Sequence, residues 1–230
     1  MTFRNFLDLM DISEETYFVK KDGVLKAASI TGTKVITAIG TYRGEEMERL
    51  PDEILIKASK LKEIWDYIAN NMSMTLEDNV LELEGKNKKL SFRLKDAKGN
   101  KIPTPKKEMG TVFINLKKED IDTILDYKKF TDGINVTFFA ENKTCDIIVK
   151  SAIPGNEAMI QCDILRKLET PFKFSYPKDF FDLLRKVNDN KFTVDIYFAE
   201  EIPGSPLKIV IKEEKGEVEY FLAQRLVEEE

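Results

Sequence analysis

The sequence contains no histidine, only two cysteines and a single tryptophan. It also has no apolar run approaching the ~18 residues that a membrane-crossing helix requires. Each absence excludes a chemistry. Without histidine there is no Ser-His-Asp or Cys-His nucleophile system, no imidazole metal ligand, and no side chain that titrates near neutrality unperturbed. Cys145 and Cys162 are too few for a disulfide framework or a four-thiolate zinc site. Each lies in an apolar stretch and reads as a reduced core residue. The N-terminal MTFRNFLDLMD is acidic and interrupted, unlike a signal peptide. The expectation is an intracellular, soluble protein with no membrane partner.

What is present is apolar bulk and charge. The chain has 230 residues, 42% hydrophobic and 33% charged, enough for one large domain or two of about a hundred residues each. With 36 Lys+Arg against 41 Asp+Glu the formal charge is −5. That balance argues against a surface that coats nucleic acid and leaves room for a local basic stripe. Neither a G-x-x-x-x-G-K-[ST] nor a G-x-G-x-x-G phosphate loop occurs. Carboxylate pairs such as Asp120 with Asp122, or Glu45 with Glu46, are what a chain rich in acids shows by chance, and the terminal Glu228-Glu229-Glu230 reads as a solvated tail. No catalysis, cofactor or metal is expected.

The organising feature is a fourfold repeat. Apolar residues fall at the spacing of one helical face in Phe3-Phe6-Leu7-Met10, Leu61-Ile64-Trp65-Ile68, Ile121-Ile124-Leu125 and Phe180-Leu183-Leu184-Val187, with Lys128 standing where the third stripe would end. The first members lie 58, 60 and 59 residues apart, so four units fill the chain. Strand signals recur at matching offsets. TYFVKK, MSMTLED, NVTFFAE and FTVDIYF follow the helices; then come VLKAASI, NVLELEG, CDIIVKS and LKIVIKE; then KVITAIGTY, KLSFRLKD, EAMIQCDI and EVEYFLAQRL. EILIKA, TVFINL and PFKFSY precede helices two to four, and Asp22-Gly23 and Pro203-Gly204 supply turns.

One helix with one antiparallel meander cannot bury both of its faces, so units should pair into domains. The segment DAKGNKIPTPKKEMG, whose one large aliphatic residue is Ile102, reads as an extended linker. The expected fold is α+β: domain one over residues 1–98 (repeats 1 and 2), a connector over 99–109, and domain two over 110–230 (repeats 3 and 4).

In this arrangement the chain resembles the DNA sliding clamps of the proliferating-cell nuclear antigen type, including the shorter phage clamps. The likeness is sharpest in SPLKIVIKEEKGEVEYFLAQRL, from Ser205 to Leu226, which looks like that family's closing hairpin, with Gln224 where the family usually carries proline. DGVLKAASITGTKVITAIG, from Asp22 to Gly40, is a second match, similar to a hairpin beside the partner pocket of clamps. The resemblance implies a DNA-clamp fold closing into a ring, a polymerase processivity factor without catalysis, and an ATP-dependent clamp loader to open it. Geometry bears on the copy number. With roughly 10 Å of circumference per helix, twelve helices leave a hole about 28 Å clear and eight only about 15 Å. Only the larger admits a duplex, so four helices per chain imply a homotrimer closed head to tail.

Cations on the exposed helical faces and at helix ends then become candidates for loose, non-specific contacts to double-stranded DNA: Arg4, Lys60, Lys62, Lys117, Lys118, Lys128, Lys178, Arg185 and Lys186. These faces also carry acids, so they are mixed and not uniformly basic. By resemblance, polymerase and other clients would insert a short aromatic-anchored peptide beside Ile30, Val35, Ile102, Pro103, Pro206, Tyr220, Phe221, Leu222 and Ala223. Subunits would pair sheets through Leu90, Phe92 and Leu94 on one side and Met159, Ile160, Cys162 and Ile164 on the other. Two other classes stay open: a β-rich repeat interaction module that never binds DNA, and an enzyme with a carboxylate-metal site.

Overall fold

The four apolar stripes form four α-helices, and each is followed by three antiparallel strands. The computed structural model describes residues 1–68, 72–104, 112–164, 167–189, 192–198 and 206–223. In the first repeat α1 (Phe3–Met10) leads to β1 (Thr16–Lys21), β2 (Val24–Ile30) and β3 (Ile36–Tyr42). A 3-10 turn, Glu45–Arg49, and β4 (Glu53–Ile56) then lead into α2 (Ala58–Ile68), β5 (Ser73–Glu77), β6 (Val80–Gly85) and β7 (Lys88–Arg93). The third repeat runs β8 (Val112–Leu116), α3 (Lys118–Thr131), β9 (Asn135–Glu141), β10 (Thr144–Lys150) and β11 (Glu157–Asp163). The fourth runs β12 (Phe172–Pro177), α4 (Asp179–Asp189), β13 (Val194–Phe198), β14 (Leu207–Glu213) and β15 (Gly216–Leu222). The Pro203-Gly204 turn, residues 105–109 of the connector with the two that follow, Gln224 and the terminal glutamates lie outside the described residues.

The chain divides into two compact units, Met1–Pro105 with Lys212–Glu219, and Lys106–Ile211 with Tyr220–Glu230. In the first unit the sheet β4-β1-β2-β3 and the sheet β5-β6-β7 are covered by α1 and α2, which pack on each other. Thr2 caps α1 by accepting the Asn5 N–H at 3.2 Å, satisfying one of the donors a helix start leaves open. Phe3, Phe6, Leu7 and Met10 are buried as their spacing predicts. The ring of Phe3 meets Trp65 edge-on at 4.8 Å and Tyr42 at 5.3 Å, tying both helices to β3. That approach depends on Gly40, where a Cβ would come within 2.7 Å of Met10 Sδ and the Phe6 ring. Asp22 and Gly23 both take positive φ, as a two-residue hairpin turn demands. The Arg43 N–H donates to the Lys215 carbonyl at 2.7 Å, so the tip between β14 and β15 belongs to this unit.

In the second unit the sheet β11-β10-β9-β12 and the strands β14-β13-β8 are covered by α3 and α4. Its centre is Phe138, fully buried, with Tyr176, Phe180 and Phe198 at ring separations of 5.8, 5.5 and 5.0 Å. Burial of these four aromatic rings in one cluster supplies a large share of the driving force for this unit, at roughly 25 cal/mol per Å² of apolar surface removed from water.

Candidate functional site

The exposed faces of the helices are woven with ion pairs. Across α1 and α2, the Lys62 ammonium contacts the Asp8 carboxylate at 2.6 Å and Arg4 Nε lies 2.8 Å from Asp66. Lys60 pairs with Glu63 at 2.8 Å on α2 itself. Within α3, Lys118 contacts Asp122 at 2.6 Å, and from α4 the Asn188 amide donates to the same carboxylate at 2.7 Å. Arg185 lies 3.5 Å from Asp182. Lys117 and Lys178 are exposed just before α3 and α4, and Lys128 and Lys186 are half-buried along them. At least five of the nine candidate cations are therefore matched to a helix acid, and the two pairs that join α1 to α2 are ones that sequence spacing alone did not reveal. α1 and α2 carry one acid per cation, and α3 and α4 each carry one acid more than cations. Such exposed pairs are worth about 0–1 kcal/mol each, so a phosphate can exchange into them at little cost, and the acids left behind keep any anion contact weak.

Among the described residues β7 and β11, the third strands of the second and third meanders, each form the edge of a sheet, one in each unit. On β7 the pattern of alternation points Leu90 and Phe92 toward the helix side, opposite the buried Leu83 and Leu81. With no strand beyond, Leu90 remains 39% exposed. Leu94, half-buried, donates its N–H to Asn79 at 2.8 Å and ends the edge. Leu83, Leu90 and Phe92, together with Lys60, Glu63, Ile64 and Tyr67 of α2, line a groove of about 170 Å³, the Lys60 ammonium standing 5.7 Å over the Phe92 ring. The outward side of β7 holds Lys89 and Arg93.

On β11, Ile160 and Cys162 are half-buried on the helix side, Met159 is 54% exposed on the other, and Ile164 beyond the strand is buried. Its outward row begins with Glu157 and ends with Asp163. One bare edge is thus basic and the other acidic, a signal legible in KKLSFR and EAMIQCD once the edges are known.

The candidate partner residues divide by burial. Ile30 is 45% exposed at the end of β2; Val35, Ile102, Pro103 and Pro206 are half-buried. On β15 the period-two alternation puts Tyr220 and Leu222 wholly inside, whereas Phe221 is half-buried under the Lys208 ammonium at 5.9 Å and Ala223 is exposed. Tyr220 and Leu222 thus shape their unit from within, and a ligand would meet Phe221 and Ala223.

Cys145 and Cys162 are free and sit directly opposite one another on β10 and β11. Burial raises both thiols, that of Cys162 to about 11 with Asp120, Asp163 and Asp146 adding to the effect, so neither is a thiolate nucleophile at neutral pH. No group of three or more Cys, Asp or Glu is placed to hold a metal ion among the described residues, and no helix there is long and apolar enough to cross a membrane. Compared with known proteins, the chain matches no family model and no curated protein.

Proposed function

We propose that the chain is one subunit of a homotrimeric sliding clamp, a ring that encircles duplex DNA, tethers a polymerase and raises its processivity by topology. The observation that carries this reading is that the β7 and β11 edges, in different units, are opposite in charge and each backed by an apolar row that is only partly covered. An antiparallel ladder between β7 of one copy and β11 of the next, in the register that sets Arg93 opposite Glu157, would put Lys89 opposite Gln161 with Asp163 its diagonal neighbour, and would cover Leu90, Phe92 and Ile160. Such a contact is heterologous and closes into a ring when repeated. Helix faces of balanced charge suit a ring that holds DNA by linkage and slides. An ATP-dependent loader and clients that carry a short aromatic-anchored peptide complete the reading, in which the protein performs no catalysis.

The balanced helix faces favour a second reading, a β-rich interaction module that never binds DNA. Two measurements decide. Light scattering should give three times the 26.5 kDa of one chain. Subunits dissociated in salt and reassembled at low salt around closed circular DNA should then stay on it through gel filtration at low salt and leave when a single cut linearises it. A monomer, or equal loss from circle and line, overturns the clamp.

A further inference from the structure

The fourfold repeat is broken at one place. In three meanders the first strand is flanked, antiparallel, by the strand that precedes a helix: β4 beside β1, β12 beside β9, and β8 beside β13. The equivalent flank of β5 is bare among the described residues, because its sheet is β5-β6-β7. Burial follows the gap. Phe18 on β1, Phe138 on β9 and Ile196 on β13 are fully buried, whereas Met74 and Leu76, which face the same core beside Leu83 and Leu81, are only half-buried. The outward side next to that edge is acidic: Glu77 ends β5, and Glu84 and Glu82 stand opposite Ser73 and Thr75, with Lys89 pairing to Glu82 at 3.0 Å.

We propose that the β5 edge is a docking site for an extended segment of a partner protein, added as an antiparallel fourth strand with apolar residues alternating with lysine or arginine. The edge supplies a row of backbone donors and acceptors, Met74 and Leu76 supply the apolar floor, and Glu77 and Glu84 select the outward cations. The three filled flanks show the form the incoming strand takes, since Ile54 and Ile56 of β4 cover Phe18 and Thr16 in the corresponding register. The inference rests on the repeat and on charge, and stands whether or not the chain forms a ring.

The test uses the full chain and a fluorescent KVKIKVK peptide, with a scrambled peptide of the same composition that places its lysines together. Binding of the alternating peptide should be at least tenfold tighter than that of the scrambled one. It should protect amides of Ser73–Glu77 from hydrogen exchange and fall at least tenfold in the E77K/E84K variant, whose substitutions are on exposed side chains. Equal binding of the two peptides, or protection that appears elsewhere, overturns the proposal. So does protection of β5 that rises with protein concentration and no peptide, which would assign the edge to a second copy. Light scattering and circle retention are read separately, so failure here and failure of the clamp reading are distinguishable.

Discussion

β5 and β9 hold the same place in successive meanders, each the first strand after its helix, and they differ in what lies beside them. β9 runs between β10 and β12, and its inward residues Val136, Phe138 and Ala140 are fully buried. β5 has β6 on one side only, and its inward Met74 and Leu76 stay half-exposed. The sequences NVTFFAE and SMTLE both alternate, so alternation marks which face turns inward, while the neighbouring strand decides how deeply. The largest expected effect follows. Phe138→Ala removes a ring packed among three others and should cost about 3–5 kcal/mol in denaturant unfolding. Leu76→Ala, made on a half-covered side chain, should cost about 1 kcal/mol or less. Equal losses would mean that the flank of β5 is covered in solution.

β7 and β11 are both sheet edges and differ in the sign of their charge. Charge reversal with K89E/R93E should shift the proposed trimer toward monomer at least tenfold, and adding E157K/D163K to the same chain should restore it. Raising the salt from about 0.05 to about 0.5 M should weaken the original assembly and leave unfolding of the separated subunit nearly unchanged. Loss of the trimer without rescue would point to an apolar contact as the one that matters, and an unaffected trimer would remove these edges from the interface.

These comparisons also mark how far the sequence could be read. The helices were legible because three or four apolar residues per stripe repeat at helical spacing, and most of the buried side chains on α1, α2, α3 and α4 follow those stripes, Leu9 and Phe181 being buried beside them. Strands were legible because β-branched and aromatic residues alternate between turn formers. Glu45–Arg49 was missed as a 3-10 turn because its one buried residue, Met47, sets no period. The ion pairs between helices were hidden for another reason. Lys62 and Asp8 are 54 residues apart and Asn188 and Asp122 are 66 apart, so only the packing of α1 on α2 and α3 on α4 brings them together. Sheet order was hidden likewise, and with it the fact that Cys145 faces Cys162 and that β5, β7 and β11 are bare.

The smallest expected effect tests whether those ion pairs do more than decorate the surface. Hydrogen bonds from Lys118 and then Asn188 hold the Asp122 carboxyl below its ordinary value of 3.8. A group whose acidity is strengthened by folding adds stability wherever it is ionised in both states, which means above its unfolded value, and loses it as the pH falls through the folded one. Because Asp122 is exposed, water and salt screen most of that contribution. Asp122→Asn should therefore lower the melting temperature slightly near pH 7 and by the same amount at about pH 5. The difference from the parent should disappear once the pH drops well below 3.8. A gap that persists in acid would mean that Asp122 acts through the packing of α3 on α4 and not through its charge. A gap that vanishes would assign the effect to the Lys118–Asp122 pair, the kind of contact a DNA phosphate could displace from a helix face without unfolding it.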